Sequence, residues 1–240
     1  MTSDRKTAFA AGALFIATFI TSIWAMLLYK PTIDASTTLL TSGAENRILF
    51  GGFLEMLLIV ANIGTAVVLF PVLKRKSEFL SISFVTARLV ESGFIAVGIL
   101  SLLALVTVNQ DLAGTDPAVL NVVGESLVAI HDWTFQLGPG WVVGLGNGLI
   151  LGYVMFRYNL VPRGMAAFGL VGGPAILLSG TAVLFGVIEP GSGPQILATA
   201  PEFIWEASLG IYLMVKGFKT VRPESVRATE SGPIGVPVAA

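Results

Sequence analysis

Six stretches of this chain are apolar enough, for long enough, to cross a lipid bilayer, and that recurrence limits the fold more than any other feature. Residues 48–70 read ILFGGFLEMLLIVANIGTAVVLF, with Glu55 as the single charge. A hydrocarbon core about 30 Å thick is crossed by about 20 such residues in a helix, the one local structure that satisfies its own backbone polar groups. The six windows are 7–29, 48–70, 79–108, 141–158, 165–188 and 203–218. Of the 240 residues 54% are hydrophobic and only 12% charged, more apolar surface than a soluble domain of this length can hide. The expectation is an all-α integral membrane protein with one helical transmembrane domain over residues 1–219 and six transmembrane helices. Arg5 and Lys6 give the first window the look of a signal peptide. Its apolar run exceeds the roughly 7–15 residues of a signal core, and no small-x-small cleavage site follows, so it is read as a retained span.

The cations set the orientation. With the N-terminus in the cytoplasm, 11 of the 14 Lys and Arg residues fall on the cytoplasmic side, leaving Lys30 and Arg47 outside and Arg88 within a span. The same topology puts Trp24, Trp133, Trp141 and Trp205 toward the outer half, where an interfacial aromatic belt belongs. Residues 118–137 are apolar enough to tempt a seventh span, but counting them would carry Arg157, Arg163 and the cationic C-terminal end outside. They are therefore expected to form an amphipathic or re-entrant outer helix before the fourth span, joined to it through Gly138, Pro139 and Gly140. Asn121, Glu125, Asp132 and Gln136 make a polar stripe along it, within about 60° at 100° per residue. Residues 220–240, rich in Pro, Ser, Gly and charge, are expected to be a disordered cytoplasmic tail.

Several function classes lose their footing here. A net charge of −1 gives no basic surface for nucleic acid, and the absence of cysteine removes disulfides, thiolate nucleophiles and cysteine-based zinc sites. One histidine, His131, cannot make an all-histidine metal site; no metal ligands are assigned, and the sequence leaves the cofactor unknown. Serine-elbow, HExxH and P-loop motifs are missing. The glycine-dense run GPGWVVGLGNGLILG sits inside a span with no preceding strand, so it is no nucleotide loop. Gly140, Gly144, Gly148 and Gly152 recur every four residues and mark a smooth face for a neighbouring helix.

What remains is a set of charges where charges are expensive. Arg88 and Glu91 share a helix face in the third window, and each costs about 2.5–3.5 kcal/mol if left alone at mid-span. They read either as a structural bridge, with Arg88 able to snorkel to the surface, or as part of a site. Glu55, Glu91 and Glu206 outnumber Arg88 three to one, so two acids stay protonated or meet a cation. Glu55 shares a face with Gly51 and Asn62, and Glu206 with Glu202 and Gly210, which turns those faces inward. With His131 and Asp132 they outline an outward polar pocket floored by Arg88 and Glu91. The candidate binding residues are thus Glu55, Arg88, Glu91, His131, Asp132 and Glu206.

The segments RILFGGFLEMLLIVANIGTAVVLFPVLKRKSE, ARLVESG, HDWTFQLGPGWVVGLGNGLILGY, LVPRGMAAFGLVGG and EFIWEASLGIYLMVKGF, in this order and spacing, resemble the bacterial membrane-protein family known as domain of unknown function 4386. The likeness covers nearly all of the chain before the tail. It departs at Gly164 and Tyr212, where the family pattern carries a bulky aromatic and a tryptophan. The resemblance implies a multi-span protein of the bacterial inner membrane and, since the family has no assigned activity, transfers no catalytic role. The functional expectation is a transporter-like or sensor-like protein whose outward cavity takes a small molecule, a cation or a lipid. The alternatives are an intramembrane enzyme using Glu55, His131, Asp132 and Glu206, or a membrane partner whose charges only lock helices together.

Overall fold

The computed structural model describes residues 3–35, 37–40, 43–112 and 114–219, and among them every regular element is helical. The tail expected at 220–240 lies outside the described residues. The helices are α1 (Ser3–Ile33), α2 (Ala44–Lys74), α3 (Glu78–Asp111), α4 (Pro117–Leu137), two π-helical segments π1 (Gly138–Val142) and π2 (Gly144–Leu151), α5 (Gly152–Arg157), α6 (Arg163–Leu184) and α7 (Gly193–Val215). Helices α1, α2 and α3 outrun their apolar windows at both ends, because a helix continues into polar surroundings for as long as its backbone bonds are met, whereas α6 stops four residues short of its window. The stops are chemical. Ser77 caps α3 by accepting from the Leu80 N–H, Asp116 caps α4 ahead of Pro117, and Gly217 at φ 78° follows the last turn of α7.

The helices alternate up and down in a closed ring. α1 packs on α2 and α7, α2 on α3, α3 on α4 and the π segments, and α6 on both π2 and α7. Five helical runs are long and apolar enough to cross a membrane, the run Pro117–Arg157 counting as one. Their outward faces carry Val60, Val67, Leu100, Val122 and Leu178, all more than half exposed. Such a continuous apolar exterior is tolerable only in lipid. α7 falls short of the same measure because Gln195, Glu202 and Glu206 dilute its apolar content.

One end of the ring gathers the cations and is tied together by them. Arg5 donates to the Leu213, Met214 and Val215 carbonyls at the end of α7, Arg75 pairs with Asp4 at 2.7 Å, and the Lys219 N–H reaches the Leu160 carbonyl. Above this basic end lies the main apolar core, including Phe15, Leu69, Phe84, Leu151, Met155, Trp205 and Leu209. From the aligned ends α1, α2 and α3 rise about 47–51 Å, while α6 and α7 rise only about 33–35 Å at 1.5 Å per residue. The wall of the ring is therefore lower on the α6–α7 side at the far end.

Two expectations change. No break separates the outer helix from the fourth span: α4 passes into π1 and π2 without a loop, and the whole run stands antiparallel along α3. Gly124 lies against Leu105, Gly98 against Thr134, Gly138 against Phe94 and Gly146 against Ala87. Pro139 lacks an N–H and crowds the preceding turn, and wider i→i+5 turns absorb both defects where an α-helix would kink. Trp205 is also no belt residue. It is fully buried beneath Gly169, with its indole N–H 2.9 Å from the Asn147 carbonyl, whereas Trp24, Trp133 and Trp141 do reach the exterior.

Candidate functional site

A cavity of about 920 Å³ occupies the ring from the far end down to its middle. Its lining runs from Lys30, Asp34, Pro190 and Gly191 at the far end, past Phe19, Ile23, Met26, Trp133 and Phe203, to Arg88, Glu91 and Glu202 at the floor. All six residues singled out from the sequence line it, although they come from four separate helices.

The floor begins with α3. Arg88 and Glu91, one helical turn apart, point into the ring because the rest of their helix offers Leu89 and Val90 to the outside. Arg88 Nη1 donates to Glu91 Oε2 at 2.8 Å, and Nη2 donates to Asn62 Oδ1 at 2.8 Å. Asn62 Nδ2 closes the circle on Glu91 Oε1 at 3.1 Å. The guanidinium carbon lies 5.8 Å from the centre of the Phe15 ring, a cation–π contact from below. Arg88 is 1% exposed, so it does not snorkel: a compensating carboxylate and amide inside the ring cost less than stretching past the apolar core. Its charge is taken up by Glu91.

Glu202 and Glu206 complete the floor from α7. Glu206 accepts a hydrogen bond from Asn147 Nδ2 on π2. Glu202, 2% exposed, has no partner for either carboxylate oxygen among the described residues. It is held there by glycines. A Cβ at Gly148 would stand 2.7 Å from Glu202 Oε2, and one at Gly172 would stand 2.5 Å from its backbone nitrogen. Gly144 and Gly148 likewise press on Gly173 of α6, where an added Cβ would meet backbone atoms at 2.4–2.7 Å. The four-residue glycine repeat stays on one face because π turns hold more residues than the 3.6 of an α turn, and a step of four falls between the two. The Asn147 carbonyl accepts both the Gly152 N–H and the Trp205 indole N–H.

Nearer the far end a second polar group hangs on the wall. Tyr29 Oη donates to Glu55 Oε2 at 3.0 Å, and the Tyr29 ring meets the His131 ring edge-on with centroids 5.4 Å apart. His131 is buried, while Asp132 beside it is largely exposed, their closest atoms 3.5 Å apart. The polar stripe of α4 divides its work. Asn121 binds the Thr37 hydroxyl and the Thr38 N–H, fastening the 37–40 loop, whereas Gln136 accepts from Gln195 Nε2 at 2.7 Å beside the cavity.

The sequence reading passed over three participants. Glu202 was visible as a companion of Glu206 at i,i+4, and Asn62 as a companion of Glu55, but neither looked more than incidental. Asn147 had no signal beyond being an amide in an apolar run. Among the described residues no group of three or more His, Asp or Glu side chains is close enough to hold a metal ion. The acids instead fall into two groups along one cavity, Glu55 with Tyr29 and His131 high on the wall, and Glu91, Glu202 and Glu206 with Arg88 at the floor.

An all-helical ring with a lipid-compatible exterior and an internal cavity floored by charged side chains defines a polytopic membrane protein. The chain belongs to the family described as Domain of unknown function (DUF4386), whose profile matches residues 10–217. No curated protein and no solved structure matches it.

Proposed function

We propose that this protein binds a small amphiphilic molecule or lipid in a cavity that opens on the outer face of the bacterial cytoplasmic membrane, as a transporter or sensor does. The observation that carries this reading is the cavity itself. Its 920 Å³ falls in the range of small-molecule sites, its walls are mainly apolar, and its floor holds a few converging polar groups. In this reading α7 is the sixth span, since it packs along α1 and α6 and its 23 residues reach about 35 Å. The basic end, with Arg5, Lys74, Arg75, Arg157, Arg163 and Lys216, faces the cytoplasm by the positive-inside rule. The apolar core then closes the cavity to the cytoplasm, and the low α6–α7 side opens it outward.

The enzyme alternative asks the acids to act together on one bond, and their division into two groups argues against that. The helix-locking alternative accounts for the Arg88, Glu91 and Asn62 circle but not for the empty volume above it. Thermal unfolding of the purified protein against a panel of lipids and amphiphiles tests the proposal, because a ligand of the native state raises its stability. At least one compound is expected to shift the transition in the parent and not in Ser22→Phe, which adds bulk to the cavity wall. A response identical in both proteins would place binding elsewhere.

A further inference from the structure

Charge bookkeeping at the cavity floor leaves a remainder. Arg88 and Glu91 neutralise one another at 2.8 Å, and Asn62 satisfies the outer atoms of both. Glu202 and Glu206, one turn apart on α7, face the same space with no cation of their own. Glu206 has the Asn147 amide, and Glu202 has no hydrogen-bond partner among the described residues. A buried carboxyl without partners is costly in either protonation state, since the acid form still requires an acceptor and the ionised form requires donors. A donor group admitted by the cavity would meet that need. An anion is disfavoured by two acids without a cation of their own, and Arg88, paired through both Nη atoms, keeps only its Nε without a partner. Among the described residues no third carboxylate or histidine joins these two acids to hold a bare metal ion. Above the two acids the walls become apolar and aromatic, with Phe19 and Phe203 edge-to-face at 5.0 Å and Ile23 and Met26 beyond them.

The geometry points to an organic cation, a protonated amine or amidinium carried on an apolar body, as the ligand class of this cavity, with its head on Glu202 and Glu206 and its body against the α1–α7 wall. This rests on the cavity reading above and narrows it. A charged N–H head supplies the donors that Glu202 lacks and offsets the repulsion of two acids at i,i+4. The apolar body displaces water from the Phe19 and Phe203 side.

The test compares two probes with one body and different heads, 4-phenylbutylamine, which is protonated at pH 7, and 4-phenylbutanol, which is neutral. Both are titrated into the purified full chain in nanodiscs of zwitterionic lipid, with tryptophan fluorescence and thermal unfolding as readouts, Trp133 lying in the cavity wall. The amine is expected to bind at least tenfold tighter than the alcohol. Glu202→Gln with Glu206→Gln is expected to remove that preference while the alcohol still binds, which shows that the cavity persists in the variant. Equal binding of both probes to the parent would overturn the cation assignment and leave the cavity reading standing. An amine preference that survives in the double variant would also overturn it, since the head would then sit elsewhere. Failure of both probes to bind the parent would count against the cavity reading itself.

Discussion

Glu202 and Glu206 lie one turn apart on α7 and share one cavity floor, yet Asn147 reaches only Glu206. Two chemically identical side chains in one environment thus differ in whether their polar atoms are met. That asymmetry separates a carboxylate that stabilises the fold from one that burdens it.

Opposite signs of substitution follow. Glu202→Met removes an unmet buried carboxyl and is expected to raise stability by about 1–3 kcal/mol, the usual cost of such a group. Glu206→Met strands the Asn147 amide and is expected to lower stability by a similar amount. Equilibrium unfolding in mixed micelles measures both. If Glu202→Met destabilises as much as Glu206→Met, Glu202 has a partner and its role at the floor is structural.

The glycine face makes a second prediction. A methyl at Gly148 would stand 2.4 Å from the Gly173 Cα, backbone that cannot step aside, so Gly148→Ala is expected to cost about 1–3 kcal/mol. Gly93 on α3 has nothing within 4 Å of an added Cβ, and Gly93→Ala is expected to leave stability unchanged or raise it by up to about 1 kcal/mol. Comparable losses in both variants would mean that the α6–π2 crossing is not the constraint.

The Arg88 circle separates breaking from replacing. Arg88→Met leaves Glu91 buried and unpaired and is expected to cost about 3–5 kcal/mol. Adding Glu91→Leu is expected to return much of that, with the Asn62 amide as the residue of the loss. A double variant as unstable as the single one would show that the two charges answer to other partners.

Much of this architecture is legible in the sequence because a membrane span is a local property. Apolar runs such as 48–70 and the pairing of Arg88 with Glu91 at i,i+3 need only the helix period to be seen. The junction at 138–140 is harder. Pro139 between glycines argues for a break, and only the packing of the whole run on α3 makes i→i+5 turns the better solution. Trp205 illustrates a related limit. A topology gives a side chain's depth but not its direction, and the space beneath Gly169 decides that Trp205 turns inward. Glu202 is the deepest case. Its lack of partners is created by Gly148 and Gly172 on other helices, so nothing near position 202 in the chain announces it.

The orientation proposed from the cations has its own check, made clean by the absence of native cysteine. Gly164, in the first turn of α6, and Glu189, in the connection that follows α6, are both exposed. In intact cells Gly164→Cys is expected to resist an impermeant thiol reagent and Glu189→Cys to react. The reverse pattern would invert the protein in the membrane.

The most direct test of the central claim places a cysteine in the cavity wall itself. Thr199 on α7 lines the cavity, one turn from Glu202 toward the far end. If the cavity opens outward and takes an organic cation, Thr199→Cys reacts with a small impermeant methanethiosulfonate in intact cells, and 4-phenylbutylamine slows that reaction in proportion to its occupancy. A cysteine that reacts only after permeabilisation, or at a rate that saturating amine leaves unchanged, contradicts the account.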